Sequence, residues 1–143
     1  MQIALLSVLA VNVLWFGLGF RLFSLQPRRA IRLLVPADAR EERTYKALVE
    51  ALPFLGGMNL AFAVLSLYAL VPMLRGAAIS VSLVLLACGL AHGSQFAANL
   101  PPLLRGGRAG GASWDVRGPM RFIFIVDGVC AAANLALWLV TIL

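Results

Sequence analysis

The stretch LACGLAHGSQFAANLPP places Cys88, His92, Gln95 and Asn99 at spacings of four, three and four. On a helix turning by ~100° per residue these positions form one narrow stripe. A second apolar stretch sets Asp127, Cys130 and Asn134 at spacings of three and four. Asn59 and Asn12 add one amide each in two further apolar runs. Asp127 is the one acid deep inside such a run, and His92 is the chain's one histidine. A carboxylate beside an imidazole can exchange a proton with a substrate, relay protons or hold a polar headgroup. The plainer role for the same residue types is an interhelical hydrogen-bond clamp, which Asn, Gln and His also supply.

Those roles depend on the surroundings. Of the 143 residues, 62% are hydrophobic and 13% charged, against roughly 45–50% and 25% in soluble domains. The mean hydropathy of +0.92 agrees with a membrane protein. A single domain, residues 1–143, fits the length. The net charge of +6 does not indicate nucleic acid, because the basic residues lie in the loops between apolar runs. Cys88 and Cys130 form no CxxC pair and no zinc spacing, so each reads as a small buried hydrophobe. Gly106-Gly107-Arg108 lacks the ending of a phosphate loop. No metal or cofactor is expected.

Four segments reach the ~20 apolar residues that a span needs. They are residues 3–25, 53–74, 77–104 (closed by Pro101-Pro102) and 119–143. The first has no basic residue ahead of it, so it reads as a retained helix rather than a cleaved signal. The predicted fold class is all-α: an integral membrane four-helix antiparallel bundle, with cytoplasmic loops at 26–52 and 105–118. Eleven of the twelve basic residues fall at those two loops and their edges, and Arg75 alone lies in the other turn. The positive-inside rule then puts the loops in the cytoplasm and both termini outside, periplasmic or extracellular. A bacterial inner membrane is the expected location.

The first loop carries its own pattern. Asp38 and Glu41 have capping-box spacing. Tyr45, Leu48, Val49 and Leu52 then mark one helical face. A short amphipathic helix over residues 39–52 is expected, lying on the cytoplasmic surface or packing under the bundle. Arg28, Arg29 and Arg32, interleaved with aliphatics, suit an anionic lipid surface at ~1 kcal/mol each. The glycine-rich second loop reads as flexible, with Trp114 at the interface.

Depth gathers the polar residues. His92 lies ~16 Å and Asp127 ~12 Å from the cytoplasmic ends of their spans, at 1.5 Å per residue. Asn59 lies at a similar depth, and Gln95 and Asn99 step towards the cytoplasm. Asp127 ionised and alone would cost at least ~2.5–3.5 kcal/mol, so it needs a partner or a proton. His92 is the first candidate partner, then Arg121 and Arg21. The Gly89/Gly93 pair permits close approach of a neighbouring helix or a second copy of the chain.

The leading expectation is a protein that binds or transports a lipid or lipophilic small molecule at an inner-leaflet polar site. Asp127, His92, Gln95, Asn99, Asn59 and Asn134 are the candidate ligand-binding residues, and Asp127 and His92 the candidate catalytic ones. One alternative is a noncatalytic accessory or assembly subunit of a membrane complex. Another is an acid–base isomerase or hydrolase acting on a lipid or isoprenoid. Expected partners are membrane lipids, a lipophilic ligand, and a second copy or a membrane partner protein.

Overall fold

The computed structural model describes residues 1–143 except 36, 38, 39, 41, 42 and 113, and the side chains of 34, 43 and 44. The described residues contain helices and no strand. Helix α1 (Gln2–Phe20) runs into a π-helical turn, Arg21–Leu25, and is followed by the short α2 (Pro27–Leu34). The long α3 (Arg43–Leu74), α4 (Ser82–Leu104) and α5 (Pro119–Ile142) complete the chain. Four helices are long and apolar enough to cross a membrane, over Gln2–Leu25, Tyr45–Leu74, Ser82–Leu104 and Pro119–Ile142. Large apolar side chains such as Ile3, Phe54, Tyr68, Leu83 and Val129 point outward. Such a surface suits lipid tails.

The helices associate as two close pairs, α1 with α3 and α4 with α5. Small residues permit both approaches. A Cβ on Gly19 would collide with the Asn59 side chain of α3. A Cβ on Gly89 would lie 2.8 Å from Leu135 of α5, and one on Gly93 would lie 3.9 Å from Ala131. The Gly89/Gly93 face is therefore covered by the chain's own α5.

Between the pairs, Leu5, Leu9, Phe16, Ala63, Ala69, Val84, Leu85 and Cys88 form one buried apolar core. It lies towards the start of α1, the end of α3 and the start of α4. Ser66 and Cys88 meet inside it at 3.4 Å. A smaller core of Ala30, Ile31 and Leu52 joins α2 to α3, with Tyr45 and Val49 packed against it.

Three expectations change. The amphipathic segment at 39–52 is not a separate helix: its described part, from Arg43, is the first third of α3. Pro53 removes one backbone bond, to the Val49 carbonyl, but the helix continues through it. Asp38 and Glu41, the proposed capping box, lie outside the described residues. The short helix of this loop is instead α2, which begins on Pro27, where a missing N–H costs nothing. The third span starts at Ser82, not residue 77, because α3 closes first. Gly76 adopts φ +77°, and Gly76 N–H and Ala77 N–H donate to the carbonyls of Met73 and Pro72. That is the Schellman arrangement, and it turns the chain out of the helix.

The second loop is folded. Arg108 N–H donates to Asp115 Oδ1 at 2.8 Å, and Gly107 and Val116 are buried.

Candidate functional site

Asp127 sits on the face of α5 turned towards α1 and α4, and is wholly buried. One oxygen, Oδ1, faces His92 Nδ1 at 3.1 Å and accepts from Trp15 Nε1–H at 3.0 Å. The other ring nitrogen, His92 Nε2, faces Asn12 Oδ1 at 3.3 Å. Asn12 and Asn134 then pair amide to amide. Asn12 Nδ2 donates to Asn134 Oδ1 at 2.8 Å, and Asn134 Nδ2 returns a bond to Asn12 Oδ1 at 3.1 Å. Asn134 Nδ2 also donates to the Cys130 carbonyl, one turn back on α5, at 2.8 Å. Phe16 of α1 stacks on the imidazole with ring centroids 4.5 Å apart. The network thus ties α1 to the α4–α5 pair across the interface between the two helix pairs. Interhelical hydrogen bonds in membranes average about 0.6 kcal/mol each, so several together make a firm clamp.

One atom stands outside this arrangement. Asp127 Oδ2 is buried and has no hydrogen-bond partner. Leaving such an acceptor unpaired costs about 1–3 kcal/mol, more for a charged group. Asp127 is also in the lining of a cavity of about 660 Å³. Its walls are mainly apolar, including Ile31 of α2, Leu52 and Leu55 of α3, Ala98 of α4 and Ile123 of α5. Gln95 and Asn99 supply polar groups along α4, and Arg108 and Trp114 reach it from the second loop. Trp114 is therefore not merely a surface marker: its Nε1–H donates to Asn99 Oδ1 at 3.1 Å. A smaller cavity of about 90 Å³ adjoins it, with Trp15, Asn59 and Gln95 in its lining.

The candidates named from the sequence separate into three groups. Asp127, Gln95 and Asn99 line the large cavity. His92 and Asn134 lie behind Asp127, within the network. Asn59 borders only the small cavity, and its amide donates to the Leu55 carbonyl at 2.9 Å. Of the partners considered for Asp127, His92 makes the contact, while Arg121 and Arg21 are exposed. Arg28, Arg29 and Arg32 are exposed on α2, and Ala30 and Ile31 between them are buried. Among the described residues no three His, Cys, Asp or Glu side chains converge as metal ligands.

Trp15 and the central place of Asn12 were not anticipated. Their signal was present, since Asn12, Trp15 and Gly19 share one face of α1 at helical spacing. No family model matches the chain, and comparison with curated proteins and with solved structures finds no match. The geometry of the site therefore carries the functional reading.

Proposed function

We propose that the protein is an integral membrane four-helix antiparallel bundle that binds or transports a lipid or lipophilic small molecule in the cavity beside Asp127. The basic loops face the cytoplasm and both termini face outward, by the positive-inside rule. The cavity, bordered by α2 and the second loop, then opens in the inner-leaflet half. The observation that carries the reading is Asp127 Oδ2, an unpaired buried acceptor on a residue that lines a large apolar cavity. Binding sites of small molecules have this composition: apolar walls and a few convergent polar groups that fix orientation. A clamp accounts for Oδ1, His92, Asn12 and Asn134, but not for a cavity of this size lined by the residue that carries the one unsatisfied buried oxygen among the described residues.

Native mass spectrometry of protein extracted in mild detergent tests the proposal, with lipid analysis of what is carried along. Wild type is expected to retain a defined extra mass that Asp127→Asn loses. Identical spectra without a specific adduct would refute the cavity as a binding site and favour an accessory subunit with structural polar stripes.

A further inference from the structure

The hydrogen-bond network fixes where its protons lie, and this specifies the ligand. The argument starts at the Cys130 carbonyl, which can only accept. The Asn134 amide nitrogen must therefore face it, and does so at 2.8 Å. Asn134 Oδ1 is then left facing Asn12, which must present its own amide nitrogen, at 2.8 Å. That orientation turns Asn12 Oδ1 towards His92 Nε2 at 3.3 Å. A carboxamide oxygen is an acceptor only, so Nε2 carries a proton.

One proton must also occupy the 3.1 Å gap between His92 Nδ1 and Asp127 Oδ1, since two lone pairs would repel there. It resides either on Nδ1, giving imidazolium and carboxylate, or on Oδ1, giving imidazole and carboxylic acid. Both arrangements have zero net charge. In both, Asp127 Oδ2 bears no proton and can only accept. The groups packed around the pair are Asn12, Trp15 and Phe16 from α1 and, three residues beyond Asp127 on α5, the buried Cys130 thiol; of these only the thiol is ionisable.

The occupant must therefore donate a hydrogen bond to Oδ2 without bringing charge. An ammonium would enter an apolar cavity whose acid is already neutralised by His92, and burying such an unpaired ion is costly. At Oδ2 a carboxylate would set acceptor against acceptor, and the cation of this lining, Arg108, belongs to the second loop rather than to α4 or α5. A hydroxyl donates to Oδ2, and its own lone pairs can receive a bond from Gln95. The Gln95 carboxamide borders both cavities and makes no hydrogen bond among the described residues. Resting on the cavity reading above, we propose that the site takes a neutral long-chain alcohol, its hydroxyl seated between Asp127 Oδ2 and Gln95 and its chain along Leu52, Ala98 and Ile123.

The single histidine makes the test direct. Full-length protein labelled with ¹⁵N-histidine in lipid nanodiscs is titrated with tetradecanol, tetradecylammonium and tetradecanoate. The Nε2 resonance is expected to be that of a protonated nitrogen throughout. Tetradecanol is expected to shift the Nδ1 resonance saturably, with affinity falling about tenfold or more in Asp127→Asn and in Gln95→Leu. An unprotonated Nε2, or tighter binding of tetradecylammonium or tetradecanoate than of the alcohol, would overturn the ligand class while leaving the cavity in place. No saturable binding of any chain, with Ala98→Trp behaving as wild type, would overturn the cavity itself.

Discussion

The two ends of the helix assembly are built from much the same residues and do opposite things. At one end Leu5, Leu9, Ala63, Ala69, Val84, Leu85 and Cys88 close into a continuous core. At the other, α2 and the second loop enter, and Leu52, Ala98, Met120 and Ile123 line a space of about 660 Å³. The boundary between them is the layer of Asn12, His92, Asp127 and Asn134. Every side-chain polar atom of that layer has a partner except Asp127 Oδ2. Composition alone therefore does not decide whether a helical bundle packs or encloses a cavity. Small residues at Gly89 and Gly93 let α4 and α5 close up, whereas α2, folded back on α3, contributes to the wall of the space at the other end.

The sharpest way to break the contrast is to remove the histidine. His92→Ala leaves Asp127 buried without the ring nitrogen that shares its proton, and is expected to cost about 3 kcal/mol in bicelle unfolding measurements. Adding Asp127→Asn should recover much of that loss. Equal stability of the single and double variants would show that the two groups are not coupled. Next in size, Gly89→Val presses on Leu135 in the closed region and is expected to cost about 2 kcal/mol. Ala98→Trp, by contrast, fills the cavity and should leave stability within about 0.5 kcal/mol while abolishing retention of the ligand. The reverse pattern would mean that the space at Ala98 is structural. Smallest is Trp15→Phe, which loses the bond to Asp127 Oδ1 but keeps an aromatic ring beside Phe122. A loss of about 0.6 kcal/mol is expected by the same unfolding assay.

Much of this contrast is legible in the residues themselves, and part of it is not. Four long apolar runs predict four long helices, because hydropathy over such lengths outweighs local detail. The stripe through Cys88, His92, Gln95 and Asn99 puts the polar side of α4 on one face, but helical spacing carries no information on which neighbour that face meets. So Asp127 and His92 were natural partners, while the inner role of Asn12 needed the packing of α1 across the other pair. Periodicity also marked the face of Tyr45, Leu48, Val49 and Leu52, of which Leu48 stays exposed. It could not reveal that the helix runs on through Pro53, since a proline weakens a helix interior without forbidding it. Nor could it decide between a membrane surface and packing under the bundle; in the structure this face closes on Ile31, a contact made by α2 folding back on α3.

The most direct single measurement locates the occupant. Protein reconstituted in nanodiscs is irradiated with a diazirine-bearing alkyl chain, offered in turn with hydroxyl, ammonium or carboxylate ends, and the modified peptides are mapped. Adducts with the hydroxyl form are expected on the walls at Leu52, Ala98 and Ile123, and should disappear in Ala98→Trp. Adducts confined to the outward surface at Leu60, Val64 and Tyr68, and unchanged in Ala98→Trp, would contradict a ligand cavity beside Asp127.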